Sequence, residues 1–179
     1  ALFRQFNLNK SAKCVYIAPK EEITESMYKH WVNRLEDGFG WVVVKLTGET
    51  TSDLVLVEQA NVIVATALHW DSISRRWKQR KNVQDVSLYI ADELQLIGGA
   101  DGPSMEVVLS RARYISSQLD RKVRIVGLSS SLANSKDVAD WLGMSGSNVF
   151  NLAPYVRSIP IDIHIFGFEA AHFATRLLA

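Results

Sequence analysis

A three-layer α/β domain, a parallel sheet covered by helices on both faces, is the fold class that this sequence predicts. Three observations carry that expectation. Five short runs are continuously apolar and rich in Val and Ile, the pattern of strands buried on both faces. The segments between them carry apolar residues at helical spacing. Strand and helix alternate along the chain, which implies right-handed crossovers within one sheet.

Taken in order, "ALFRQF" reads as the last turns of an amphipathic helix whose earlier part lies before Ala1. "CVYIA" (14–18) is the first strand. Glu21 to Leu35 places Ile23, Met27, Trp31 and Leu35 at four-residue steps and predicts a helix. "WVVVKL" (41–46), "NVIVAT" (61–66), "SLYIAD" (87–92) and "VRIVGL" (123–128) are the remaining core strands. Met105 to Leu119, with Val108, Ala112 and Ile115, predicts a long helix before the last of them. "IDIHIFGF" (161–168) differs because Asp162 and His164 alternate with isoleucines, so it reads as a half-exposed strand after the Pro-bearing "APYVRSIP". The expected organisation is one partial domain over 1–152, then a connection and the start of a following segment over 153–179.

At 179 residues and 47% apolar content the chain can bury the core of one domain. Its 20 Lys and Arg against 19 Asp and Glu leave no whole-molecule field, so attraction for nucleic acid must come from local patches. The one cysteine, Cys14, cannot form an internal disulfide and fits a reducing compartment, with a buried structural thiol as the expectation. No apolar run approaches the roughly 20 residues that span a bilayer, so a soluble protein with no membrane partner is expected. His30, His69, His164 and His172 are scattered, which gives a zinc-type site no support.

Ligands bind at the carboxyl ends of parallel strands. Here those ends read "APKEE", "LTGET", "ATALHWD", "ADELQ" and "LSSSLAN", so small, hydroxyl and acidic residues gather at one edge. Asp92-Glu93 closes an apolar strand, which suits an acidic group holding Mg²⁺ and a second carboxylate orienting water; a solvated strand end or helix cap fits the same pair. Ser129-Ser130-Ser131 suits hydrogen bonding at the edge or an ordinary strand-to-helix turn. "GGADGP" is a turn and not a phosphate cradle, because no Lys follows. Arg75 to Lys81 holds five cations in seven residues around Trp77, either a grip for single strands or a solvated helix end with a packed aromatic. No G-x-x-x-x-G-K-[ST] occurs in the chain.

That ordered set resembles the first RecA-like domain of superfamily-two DExH-box RNA helicases, matching their motifs Ia, Ib, II and III. "WDSISRRWKQRKNVQ", "LIGG..GP..EVVLSR.RYISSQ" and "VRIVGLSSSLANSKDVADWLG" are similar to the carboxyl-terminal cassette of the large spliceosomal members that unwind paired small nuclear RNAs. A ribosome-linked two-cassette relative is the alternative. The resemblance implies ATP and Mg²⁺ as cofactors, with the phosphate loop just upstream of Ala1, so that this chain alone hydrolyses nothing. It implies Asp92 as the Mg²⁺ carboxylate through water, Glu93 as the residue that orients or deprotonates the attacking water, and Ser129, Ser130 and Ser131 as the coupling motif. Pro19, Lys20, Thr47, Gly48 and Thr66 fall at nucleic-acid-binding positions. Implied partners are small nuclear RNA, spliceosomal proteins and other domains of the same helicase, in the nucleus.

Departures from the family pattern count as much as matches. Gln95 stands where the family has the His that couples hydrolysis to strand movement, which predicts weaker coupling. Relatives read Thr-Pro-Glu-Lys-Trp-Asp where this chain has Thr66-Ala67-Leu68-His69-Trp70-Asp71, removing a cation and a rigid turn. Glu21 and Glu22 follow Lys20 and would repel RNA, although they also suit the first turn of the next helix. Two functions follow: a degenerate pseudo-helicase cassette serving as a regulatory and docking platform in pre-mRNA splicing, which these departures favour, or an active ATP-dependent RNA helicase domain. A flavodoxin-like nucleotide module shares the sheet but not the motif order.

Overall fold

The computed structural model describes residues 1–144 and 146–167. Five parallel strands form one sheet in the order β2-β3-β1-β4-β5, from β1 (Lys13–Ala18), β2 (Val43–Lys45), β3 (Val62–Thr66), β4 (Val86–Ala91) and β5 (Arg124–Gly127). Helices α1 (Leu2–Leu8), α2 (Glu21–Trp31), α3 (Asp37–Phe39), α4 (Thr50–Gln59), α5 (Ala67–Ser74), α6 (Lys81–Gln84), α7 (Gly102–Gln118) and α8 (Ser135–Trp141) lie before, between and after the strands. All five sequence-predicted core strands are present, each within two residues of its expected ends.

The sheet is buried on both sides because alternate residues of each strand feed two separate cores. Val15, Ile17, Ile63, Ala65, Tyr89 and Ala91 pack under α4, α5 and α7 with Trp70, Ile73, Val108 and Leu109. Cys14, Tyr16, Val62, Val64, Leu88 and Ile90 pack on the other face with Phe6 of α1 and with Met27 and Trp31 of α2. Each large side chain fully removed from water contributes about 1.5–3 kcal/mol, so these two layers hold the strand ends in place. Register puts Ala18 beside Thr66 and Ile17 beside Ala91, which brings the carboxyl ends of β1, β3 and β4 into line.

Lys13 secures the opposite end. Its ammonium donates to the carbonyls of Val57, Glu58 and Ala60 at 2.8–2.9 Å, closing the carboxyl end of α4. Burial lowers its pKa, against the opposing pull of Asp85 and Glu58.

Two expectations are corrected. The helix from Glu21 is α-helical only to Trp31; Val32–Glu36 forms a π turn before α3, and Gly40 at φ 65° ends it. Ile161 to Gly167 forms no strand: it has no neighbouring strand to bond with, and Ile161, Ile163 and Ile165 are exposed. Phe168 and the rest of the expected following segment lie outside the described residues.

Candidate functional site

β1, β4 and β5 are adjacent, so the turns after them meet. Asp92 directly follows β4, and its amide donates to Ile17 O at 2.8 Å. Its carboxylate is held twice: Tyr16 Oη, from the neighbouring strand, donates to Oδ2 at 2.5 Å, and the Glu93 amide donates to Oδ1 at 2.9 Å. Burial, then the bond to Asp92, pushes the Tyr16 hydroxyl pKa upward, so it stays a proton donor to the carboxylate.

Glu93 occupies the left-handed region at φ 56°, ψ 40°. Such a conformation costs a non-glycine residue about 1–2 kcal/mol and persists only where the surroundings enforce it. Here the enforcement is a bond network. Leu94 N donates to Leu128 O at 3.1 Å, which ties the β4 turn to the β5 turn. Gln95 Nε2 donates to Glu93 Oε2, while Gln95 Oε1 accepts from Ser129 Oγ and from the Ser130 amide, both at 3.1 Å. A single amide side chain thus joins the carboxylate of one strand end to the serine turn of the next. Ser131 is exposed and makes no bond to Gln95.

The β2 and β3 ends form the second half of the edge. Thr47 N, Thr47 Oγ1 and Gly48 N all donate to the buried Asp53 carboxylate at 2.8–3.0 Å. Gly48 sits at φ 93°, and a Cβ there would lie 2.8 Å from His69 Nε2, so glycine is needed for both reasons. Thr66 Oγ1 accepts from His69 N at 3.2 Å and caps α5. Pro19 is half-buried and Lys20 exposed at the start of α2.

The expected repulsion from Glu21 is weaker than its sequence position suggests. Lys45 Nζ lies 3.1 Å from Glu21 and 2.7 Å from Glu25, and Glu25 also pairs with Lys29 at 3.2 Å. Glu22 has no such partner among the described residues. His69 Nδ1, 4.0 Å from Glu21 Oε2, finds no hydrogen bond.

The site brings together Asp92, Glu93, Gln95, Ser129 and Ser130. It leaves Thr47, Gly48 and Thr66 in a separate group whose donors are largely turned inward. Sequence reasoning missed Tyr16 and Asp53. Tyr16 is visible only once β1 is known to lie beside β4; Asp53 carried a signal, an acidic residue six positions after Thr47 at the start of a helix.

Asp92 and Glu93 offer hard oxygen donors of the kind Mg²⁺ takes through water. Among the described residues no group of three or more His, Cys, Asp or Glu encloses a metal. Two carboxylates at one strand end can hold a hydrated divalent cation through its waters, and among the described residues they form no all-protein cage.

The model of the DEAD/DEAH box helicase family matches residues 1–138. The chain belongs to the DEAD/DEAH box helicases. It is 51% identical over all 179 residues to the mouse "U5 small nuclear ribonucleoprotein 200 kDa helicase", covering 8% of that protein. It is 52% identical over 167 residues, 93% of this chain and 8% of the relative, to the Arabidopsis thaliana "DExH-box ATP-dependent RNA helicase DExH12". Among solved structures, the DUF1998 helicase MrfA bound to DNA superposes with a TM-score of 0.66 over 79% of this chain and 21% of its own, at 14% identity, a likeness of fold. The chain thus spans about a twelfth of the length of the curated relatives it matches. Among the described residues no helix is long and apolar enough to cross a membrane.

Proposed function

We propose that this chain is part of a spliceosomal ATP-dependent RNA helicase that acts in the nucleus on small nuclear RNA. Within it, the cassette holding this chain works as a degenerate, regulatory docking platform. Identity of 51% across the whole chain with a U5 ribonucleoprotein helicase is the observation that carries the assignment to the spliceosome. Recovery of U5 small nuclear RNA with the immunoprecipitated full-length protein tests it. Absence of that RNA, with other small nuclear RNAs recovered or not, contradicts it.

In the intact cassette Asp92 would hold Mg²⁺ through water, with the nucleotide phosphates on a loop supplied by chain outside these residues. The metal would offset phosphate charge. Glu93 positions a water by accepting its hydrogen bond, and Tyr16 keeps the Asp92 carboxylate oriented. Gln95 ties Glu93 to the Ser129-Ser130 turn by neutral amide hydrogen bonds, in place of the histidine the family uses for coupling.

The docking role rests on the nucleic-acid edge. Along the β1, β3 and β2 ends, Lys20 is the one lysine without a carboxylate partner among the described residues, since Lys45 is engaged by Glu21 and Glu25. Phosphate affinity falls steeply with each cation lost from the contact. The Thr47 hydroxyl and the Thr47 and Gly48 amides are bonded to Asp53. Such an edge suits a fold kept for its surfaces more than for strand movement, and unwinding by the parent protein belongs to its other domains.

A further inference from the structure

The basic run Arg75 to Lys81 is not used by the site described above. It follows α5, whose first residue is at the carboxyl edge, so the run lies toward the far end of the sheet. There it opens two adjoining hollows of about 530 and 610 Å³ that share Arg75 and Trp77. The first is lined by Arg75, Arg76, Trp77, Lys78 and Gln79, and the second extends across α7 past Pro103, Val107 and Tyr114. Both are shallow and open to solvent, so they form one continuous surface groove.

Charge in this groove is only partly answered. The buried Asp71 carboxylate takes Arg75 at 2.5 Å and Arg111 at 2.7 Å. Arg76 and Lys78 have no carboxylate partner among the described residues, and Glu106, at the α7 end, is the only acid in the lining of either hollow. The floor is apolar where it should be polar: Val107 is 46% and Tyr114 51% exposed on the outer side of a helix whose inner side already carries Met105, Val108, Leu109, Ala112 and Ile115.

We infer that this groove binds an acidic protein segment, its carboxylates on Arg76 and Lys78 and an apolar side chain on Val107 and Tyr114. A single-stranded nucleic acid fits less well. Trp77 meets Tyr114 edge-on, at 6.2 Å and 83°, and Lys78 Nζ stands 5.7 Å from the Trp77 ring centre, so no pair of parallel ring faces is open to successive bases. Arg75 and Arg111 are committed to Asp71 and have fewer donors left for phosphate. Glu106 sets the direction, because it disfavours carboxylates at the Val107 end. The assignment rests on the docking reading above and adds the place and chemistry of one partner.

The test is fluorescence anisotropy on the purified full-length protein with a labelled peptide of a glutamate cluster followed by leucines, beside oligouridine RNA. Binding of the peptide in the micromolar range is expected, weakened about tenfold or more by Arg76→Glu combined with Lys78→Glu and by replacing the peptide leucines with serine. Oligouridine affinity stays unchanged in the same variant. Both residues are on the surface, and an unaltered melting temperature shows that the variant folds. Failure of the peptide to bind, indifference to the charge reversal, or loss of RNA affinity in its place would each overturn the inference. Peptide binding that persists in a cassette found to hydrolyse ATP would remove the degenerate reading and leave the groove intact.

Discussion

Replacing Tyr16 with Phe removes one hydroxyl from the site and leaves the ring in its packing against Trp31, 5.2 Å away. The hydroxyl donates at 2.5 Å to the carboxylate of Asp92. Hydrogen bonds to charged groups contribute about 1.5–3 kcal/mol. Asp92 is partly open to water, which can replace the lost donor, so a cost at or somewhat below the bottom of that range, about 1–1.5 kcal/mol, is expected. The assay is urea unfolding of four proteins: wild type, Tyr16→Phe, Asp92→Asn and the double variant. A coupling energy of about 1 kcal/mol or more between the two positions is predicted. Equal cost of Tyr16→Phe with and without the Asp92 carboxylate would refute the claim that the tyrosine orients it, since the loss would then be one of packing alone.

Four further outcomes follow from the packing. Arg111→Met leaves the buried Asp71 with Arg75 as its only cation among the described residues and costs about 3 kcal/mol by chemical denaturation. Burial raises the Asp71 carboxyl, but hydrogen bonds from Arg75 and Arg111 outweigh it and hold the folded pKa below the ordinary 3.8. This contribution is therefore full above that value and lost as the pH falls below it, so the stability gap between wild type and Asp71→Asn, read from urea curves, should close at low pH. Cys14 is 1% exposed and burial pushes its thiol up to about 12, so iodoacetamide at pH 8 should label it only after unfolding; rapid labelling of the native protein would contradict the core placement. A methyl group on Gly102 would collide with the backbone carbonyl of Ile97, so Gly102→Ala should cost about 2–4 kcal/mol, whereas Gly98→Ala, with open space around it, should be near neutral in thermal melts.

The strands were legible because burial on both faces leaves a one-letter signature: β1 and β3 are unbroken apolar runs with all but one residue out of water. Their order was not, because nothing in the chain states that β1 lies between β3 and β4. Tyr16 escaped notice for that reason, as its partner is 76 positions away. Asp92, Glu93 and Gln95 were readable as a group by their place at a strand end. The partners of Gln95 were not: the geometry has it bonded to Glu93 on one side and to Ser129 and Ser130, from the next strand's turn, on the other. Glu21 shows the opposite error, a carboxylate read as free that Lys45 pairs from a strand 24 residues on. The segment after Pro160 carries strand-like alternation without a strand, because alternation states a preference for pairing and supplies no partner.

The central claim, that this cassette keeps the helicase fold without driving strand movement, is tested most directly by RNA-stimulated ATP hydrolysis of the full-length protein with and without Glu93→Gln. The substitution is expected to leave RNA-stimulated turnover unchanged. A large loss of turnover in Glu93→Gln, in a protein that still melts at the wild-type temperature, would show that Asp92 and Glu93 serve a working motor.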